Sequence, residues 1–152
     1  MSQPVHAIVL HRFGVSAERI FDACLDPAWV GRWMFGPNVR DEQVVRLALE
    51  PRVGGKFSFV VNRNGTEVDH VGEYLEIERP RLLAFTWATR DTLADMSRVI
   101  IEITPRDEGC EVKLTHVMGA RWSEFVDRAA GAWSKMLDAL ERVIGEDGSR
   151  AP

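Results

Sequence analysis

A chain of 152 residues with 45% hydrophobic content is long enough to bury one ordinary core without disulfide or metal staples. Its 19 Lys plus Arg against 23 Asp plus Glu leave a formal charge of -4 and no basic run, which argues against nucleic acid or an anionic lipid surface as partner. No run of about 18 apolar residues occurs and the first ten residues lack the basic and apolar regions of a secretory leader, so the expectation is a soluble, cytoplasmic protein without a membrane partner.

Val5 to Phe13 alternates as a strand, with Val5, Ala7, Val9, His11 and Phe13 on one face. Ser16 is placed to cap a helix over Ala17 to Leu25 that buries Ile20 and Phe21. Asp26 followed by Pro27 restarts the chain as a second short helix, Ala28 to Met34, carrying Trp29, Val30 and Trp33. Phe35, Gly36, Pro37 and Asn38 make a turn-rich exit.

The pattern then changes to period two. Val45, Leu47 and Leu49 alternate with polar neighbours, and after Gly54-Gly55 a second run sets Phe57, Phe59 and Val61 on one face. Asn64-Gly65 is a two-residue hairpin signal. The strand after it, Thr66 to Glu78, contains Gly72, where a missing side chain marks a bulge and leaves the faces of Tyr74, Leu75 and Ile77 open. Leu83 to Ala88, Ser97 to Thr104 and Cys110 to Val117 complete six or seven strands joined by short turns, an antiparallel meander.

From Trp122 to Ile144 apolar residues recur at steps of three and four, among them Phe125, Ala129, Ala132, Trp133, Met136, Leu137 and Leu140. This long helix needs an equally long apolar partner, and only the sheet can supply it. The fold class is therefore α+β, a curved antiparallel sheet gripping a C-terminal helix, with two short helices after the first strand. Residues 1–146 form one domain and 147–152 a flexible tail.

The segments SAERIFDACLDPAWVGRWMFG at 16–36, LEPRVGGKFSF at 49–59, VGEYLEIERPRLLAFTW at 71–87, IIEITPRDEGCEVKLTHVMG at 100–119 and GAWSKMLDALERVI at 131–144 carry a resemblance over nearly the whole chain. In order and spacing they resemble the homologues of the heat shock protein 90 ATPase activator C-terminal domain, within the SRPBCC, START-like or Bet v 1-like helix-grip superfamily. The resemblance implies a cavity between sheet and long helix. It implies no single chemistry, because this fold hosts carriers, cyclases, hydrolases and co-chaperone modules. The eukaryotic activator has a separate N-terminal domain for much of its chaperone binding; nothing in these residues corresponds to it, so a chaperone contact has no support here.

The inward-facing set, Trp33, Phe35, Phe57, Phe59, Phe85, Trp87, Leu114, His116, Trp133, Met136 and Leu137, is the candidate ligand-binding surface, since rigid aromatic plates on a curved sheet suit a flat apolar molecule. Any of them can equally be core packing. His116 shares the inward face with Val112 and Leu114, where an imidazole binds a ligand, acts as acid or base, or is satisfied by a core neighbour. His70 and Asp69 are adjacent on a strand, so they point to opposite faces and cannot meet directly.

His70, His116, Cys24 and Cys110 have no metal or redox spacing, no nucleophile-elbow motif is present, and no cofactor is expected. Three functions follow: a carrier of an apolar small molecule, favoured; an enzyme of the same fold with His116 as acid or base; and a chaperone or regulatory interaction module. The sequence leaves a homodimer through a strand edge or the short helices open.

Overall fold

The computed structural model describes residues 3–148. The elements run β1 (Val5–Phe13), α1 (Ala17–Cys24), α2 (Pro27–Trp33), β2 (Gln43–Leu49), β3 (Lys56–Arg63), β4 (Thr66–Glu78), β5 (Leu82–Thr89), β6 (Ser97–Arg106), β7 (Gly109–Met118) and α3 (Val126–Gly148). Short 3-10 segments, Arg90–Asp95 and Ala120–Phe125, precede β6 and α3.

The seven strands form one antiparallel sheet in the order β1-β7-β6-β5-β4-β3-β2. β1 and β2 are the two edges, so the chain crosses from one edge to the other through α1 and α2. Both short helices start where the sequence places their caps: Ser16 Oγ accepts from the Arg19 N–H at 3.2 Å, and Asp26 Oδ1 accepts from the Ala28 N–H at 2.9 Å. At the Asn64-Gly65 turn both residues hold positive φ, 55° and 82°, as a tight hairpin between right-twisted strands requires.

Curvature enters through two bulges and one close approach. Val45 is an extra residue in β2 opposite β3, and Leu75 an extra residue in β4 opposite β5. The Leu75 bulge resolves the face left open in the sequence: Tyr74 is buried and Leu75 points outward, 37% exposed. The bulge expected at Gly72 falls at Leu75 instead; Gly72 stays in register, directly opposite Phe57, and its missing side chain marks the close approach. A Cβ there would lie 2.0 Å from the Thr86 carbonyl oxygen and 2.5 Å from the Phe57 ring.

The concave face carries Phe57, Phe59, Val61, Leu83, Phe85, Val99, Ile101, Val112 and Leu114, all buried. Against it lie Trp133, Met136, Leu137, Leu140, Val143 and Ile144 of α3, the stripe expected from the helical period. The helix differs at both ends from the expected Trp122 to Ile144. Its first turn, Ala120–Phe125, is a kinked 3-10 segment, because Trp122 leaves helical geometry (φ -98°, ψ 15°), and its last residues continue to Gly148. Residues 149–152 of the expected tail lie outside the described residues.

Candidate functional site

The end of the concave face beneath α1 and α2 is closed by packing. Phe57, Phe59, Tyr74 and Phe85, with Cys24, Met34 and Ile101, surround an opening of only about 10 Å³, room for no more than one water. Phe57 stacks on Phe59 at 4.7 Å and meets Phe85 edge-on at 5.6 Å. Trp33 is fully buried and donates its indole N–H to the Ala23 carbonyl at 2.9 Å. Leu114 and Leu137 are equally enclosed. Six of the eleven candidate residues, Trp33, Phe57, Phe59, Phe85, Leu114 and Leu137, thus stand in the packed interior.

The other five, Phe35, Trp87, His116, Trp133 and Met136, come together at the opposite end, around an open pocket of about 320 Å³. That volume sits at the low end of the roughly 300–1,000 Å³ typical of small-molecule sites. Helix α3 supplies Ala129, Ala132, Trp133 and Met136, one stripe at helical spacing. The two alanines leave the space that a larger side chain would fill. Trp87 lies 5.3 Å from Trp133 and stacks against Phe35 at 6.1 Å, so aromatic faces form one side. A smaller recess of about 180 Å³ adjoins it through Trp87, Thr89 and His116, reaching Asp95 and Trp122.

His116 is wired at both ring nitrogens. The Trp133 indole N–H donates to Nδ1 at 3.1 Å, which fixes the proton on Nε2; Nε2–H donates to Ser97 Oγ at 2.7 Å, and that hydroxyl donates to the Trp87 carbonyl at 3.0 Å. Burial pushes its pKa down to about 4, so the ring is neutral. With both nitrogens engaged, it fixes the Trp133 indole directly and, through Ser97, the main chain at Trp87.

His70 is wired at one. Phe59 and His70 are cross-strand partners, and His70 Nδ1–H donates to the Phe59 carbonyl at 3.1 Å. Burial lowers its pKa to about 4, against the raising effect of that bond, and the neutral ring presents Nε2 as an acceptor with no donor among the described residues. Phe35 lies 4.6 Å from it. Asp69, on the opposite face, accepts from Ser58 Oγ at 2.7 Å and Arg90 Nε at 2.8 Å, as strand alternation requires.

Behind the pocket rim sits a charged triad. The Glu42 side chain is wholly buried; Oε2 accepts from the Gly36 N–H at 2.8 Å and Arg40 Nη1 at 2.9 Å, and Oε1 from Arg63 Nε and Nη2 at 2.9 and 2.7 Å. Burial alone would raise the Glu42 pKa, but the Gly36 amide and the two guanidiniums hold it below the ordinary glutamate value. Both arginines line the pocket. Sequence reasoning passed over His70's orientation, Arg40, Glu42 and Arg63. Counting back from the Asn64-Gly65 turn would have set His70 opposite Phe59 and Arg63 on the same inward face; nothing periodic marks Arg40 or Glu42.

A larger hollow, about 550 Å³, lies on the outer face of the sheet around Lys56, Ser58, Glu73, Thr86 and Arg90. Some of its polar groups bind one another, Ser58 and Arg90 through Asp69 and the Glu73 N–H on Thr86 Oγ1 at 2.9 Å, while the Lys56 amine and the Glu73 carboxylate hold no bond among the described residues. The inner pocket sets its few unshared polar atoms among three aromatic side chains, Phe35, Trp87 and Trp133, where the outer hollow has only Phe57, which makes it the better ligand site. Among the described residues no group of three or more His, Cys, Asp or Glu is placed to hold a metal ion, and no helix is long and apolar enough to cross a membrane.

The architecture is that of several solved structures. Protein SA2116 from Staphylococcus aureus superposes with a TM-score of 0.83 at 15% identity, covering 97% of this chain and 98% of its own. Protein NE0264 from Nitrosomonas europaea gives 0.81 at 15% identity, with 95% and 97% covered. CalU16 from Micromonospora echinospora gives 0.70 at 22% identity, with 97% and 80% covered. At these identities the likeness establishes the helix-grip fold alone. No curated protein matches the chain. Residues 14–145 match the family described as Activator of Hsp90 ATPase homolog 1-like protein, and with that span and this fold the chain belongs to that family, within the SRPBCC helix-grip group.

Proposed function

We propose that the protein is a cytoplasmic START-like binding domain that takes a flat, largely apolar small molecule into the pocket between β5, β7 and the first half of α3. The observation that carries this reading is the pocket of about 320 Å³ walled by Phe35, Trp87, Trp133 and Met136, with the unshared His70 Nε2 beside them. The Trp133 indole and the main chain at Trp87 are held through His116 and Ser97, which supports a preformed wall. The two buried free thiols, Cys24 and Cys110, fit a reducing compartment.

An acid–base role for His116 is disfavoured by its wiring, since either nitrogen must first give up a hydrogen bond. The family's description refers to activation of the Hsp90 ATPase, and the pocket, not a chaperone contact, is what the described residues support. The test is titration with the neutral fluorophore N-phenyl-1-naphthylamine. Wild-type protein should bind one equivalent saturably, and Ala132→Trp, a substitution at an exposed helix position on the pocket edge, should lose that binding while remaining folded. No saturable binding, or equal binding by the variant, would contradict the proposal.

A further inference from the structure

We infer that the ligand carries an oxyanion head, a carboxylate or its like, seated on the guanidiniums of Arg40 and Arg63 with its apolar body against Trp87 and Trp133. This rests on the pocket being a ligand site and specifies which class of molecule it takes.

The charge count is the first argument. Two guanidiniums share one carboxylate, so the triad keeps a net positive charge. Its negative partner is out of reach: the Glu42 side chain has no exposure, whereas those of Arg40 and Arg63 are 24% and 35% exposed. A molecule entering the pocket therefore meets guanidinium and not carboxylate. The acid nearest the adjoining recess, Asp95, is paired with Arg121 at 3.1 Å.

Unused donors are the second. Each guanidinium has five N–H groups in a planar fork suited to a carboxylate. Arg40 spends Nη1 on Glu42 and the Met34 carbonyl, and Arg63 spends Nε and Nη2 on Glu42. Arg40 Nε and Nη2 and Arg63 Nη1 hold no bond to the described residues. Glu42, fixed by the Gly36 amide, acts as a strut that sets both forks at the rim. Preset forks cost a ligand less ordering than free arginine side chains would.

His70 is the third. It is only 7% exposed and lines the same pocket, yet its Nε2 has no protein donor. Among the described residues no side-chain nitrogen or oxygen is both fully buried and without a partner, so Nε2 opens onto the pocket and meets solvent there. A hydroxyl or N–H on the ligand body would take the place of that water, so the favoured molecule is an aromatic or branched apolar acid bearing one such donor.

The experiment compares two probes with the same anilinonaphthalene body, N-phenyl-1-naphthylamine and 8-anilinonaphthalene-1-sulfonate, against wild type, Arg40→Gln and Arg63→Gln. The anionic probe should bind wild type about tenfold tighter, weaken with added salt, and lose most of that advantage in each variant while the neutral probe is little changed. Circular dichroism checks that the variants fold, and the salt dependence in wild type tests the charge argument without any substitution. Equal affinity for both probes, or an anion preference that is salt-independent or survives both variants, would overturn the inference and leave the pocket as a neutral ligand site. Failure of both probes to bind wild type would overturn the pocket reading and the inference with it.

Discussion

The indole N–H of Trp133 donates to Nδ1 of His116 at 3.1 Å, so a helix residue fixes the tautomer of a strand residue. Trp133→Phe removes the donor and part of a buried bicyclic ring. The expected cost is about 2–3 kcal/mol, one buried hydrogen bond plus the space left by the smaller ring. The freed Nδ1 should also accept a proton more readily, moving the His116 pKa up from about 4 toward the ordinary imidazole value. Imidazole chemical shifts followed with pH check this; an unmoved titration would mean that burial alone sets it.

Stability should fall as the solution is acidified from about pH 6.5 to about pH 4. His70 and His116 take up protons near 6.5 when unfolded and near 4 when folded. In that window the unfolded chain binds more protons, so each histidine contributes stability present above 6.5 and lost on the way down, at about 1.4 kcal/mol per pH unit. Glu42, whose folded value is lowered, loses its contribution only further into acid, as pH falls from its unfolded value of 4.5 through its folded one. Denaturant midpoints across pH 4 to 7 should slope upward, and replacing His116 with Gln should flatten the slope by about half.

Glu42→Gln leaves two guanidiniums without their counter-charge. A fully buried pair broken this way costs about 3–5 kcal/mol; here the arginines are partly exposed and can turn to water, so about 2 kcal/mol is expected. Urea unfolding measures it, and a loss under about 0.5 kcal/mol would show that the triad is solvated.

Gly72→Ala should destabilise by at least about 2 kcal/mol, since the new methyl would meet a backbone oxygen at 2.0 Å and the Phe57 ring at 2.5 Å. Thermal unfolding should show a clear drop in Tm. An unchanged Tm would mean that β4 can part from β5 at no cost.

The fold was legible because most elements declared themselves by period and punctuation. Alternation set β1 at Val5–Phe13, Asp26-Pro27 started α2, and Asn64-Gly65 fixed the β3–β4 hairpin. Less of the site could be read. Alternation tells which face Phe57, Phe85 and Trp87 share, but not that Phe57 and Phe85 pack shut while Trp87 faces an opening; that difference comes from Ala129 and Ala132 across the gap. Inward placement of His116 was readable, whereas its satisfaction by Trp133 and Ser97 depends on contacts 17 and 19 residues away. Arg40 and Glu42 lie in an irregular segment whose path follows from tertiary contacts with Gly36 and Arg63, so no local pattern betrays them.

The most direct test of the pocket as the ligand site is a two-dimensional NMR titration of the five tryptophan indole N–H signals with the neutral fluorophore. Saturable movement of the Trp87 and Trp133 signals is predicted, with the Trp33 signal, locked to the Ala23 carbonyl, unmoved. Movement of Trp33 in place of those two, or shifts confined to the Glu73 and Thr86 amides on the outer face, would place binding elsewhere and contradict the account.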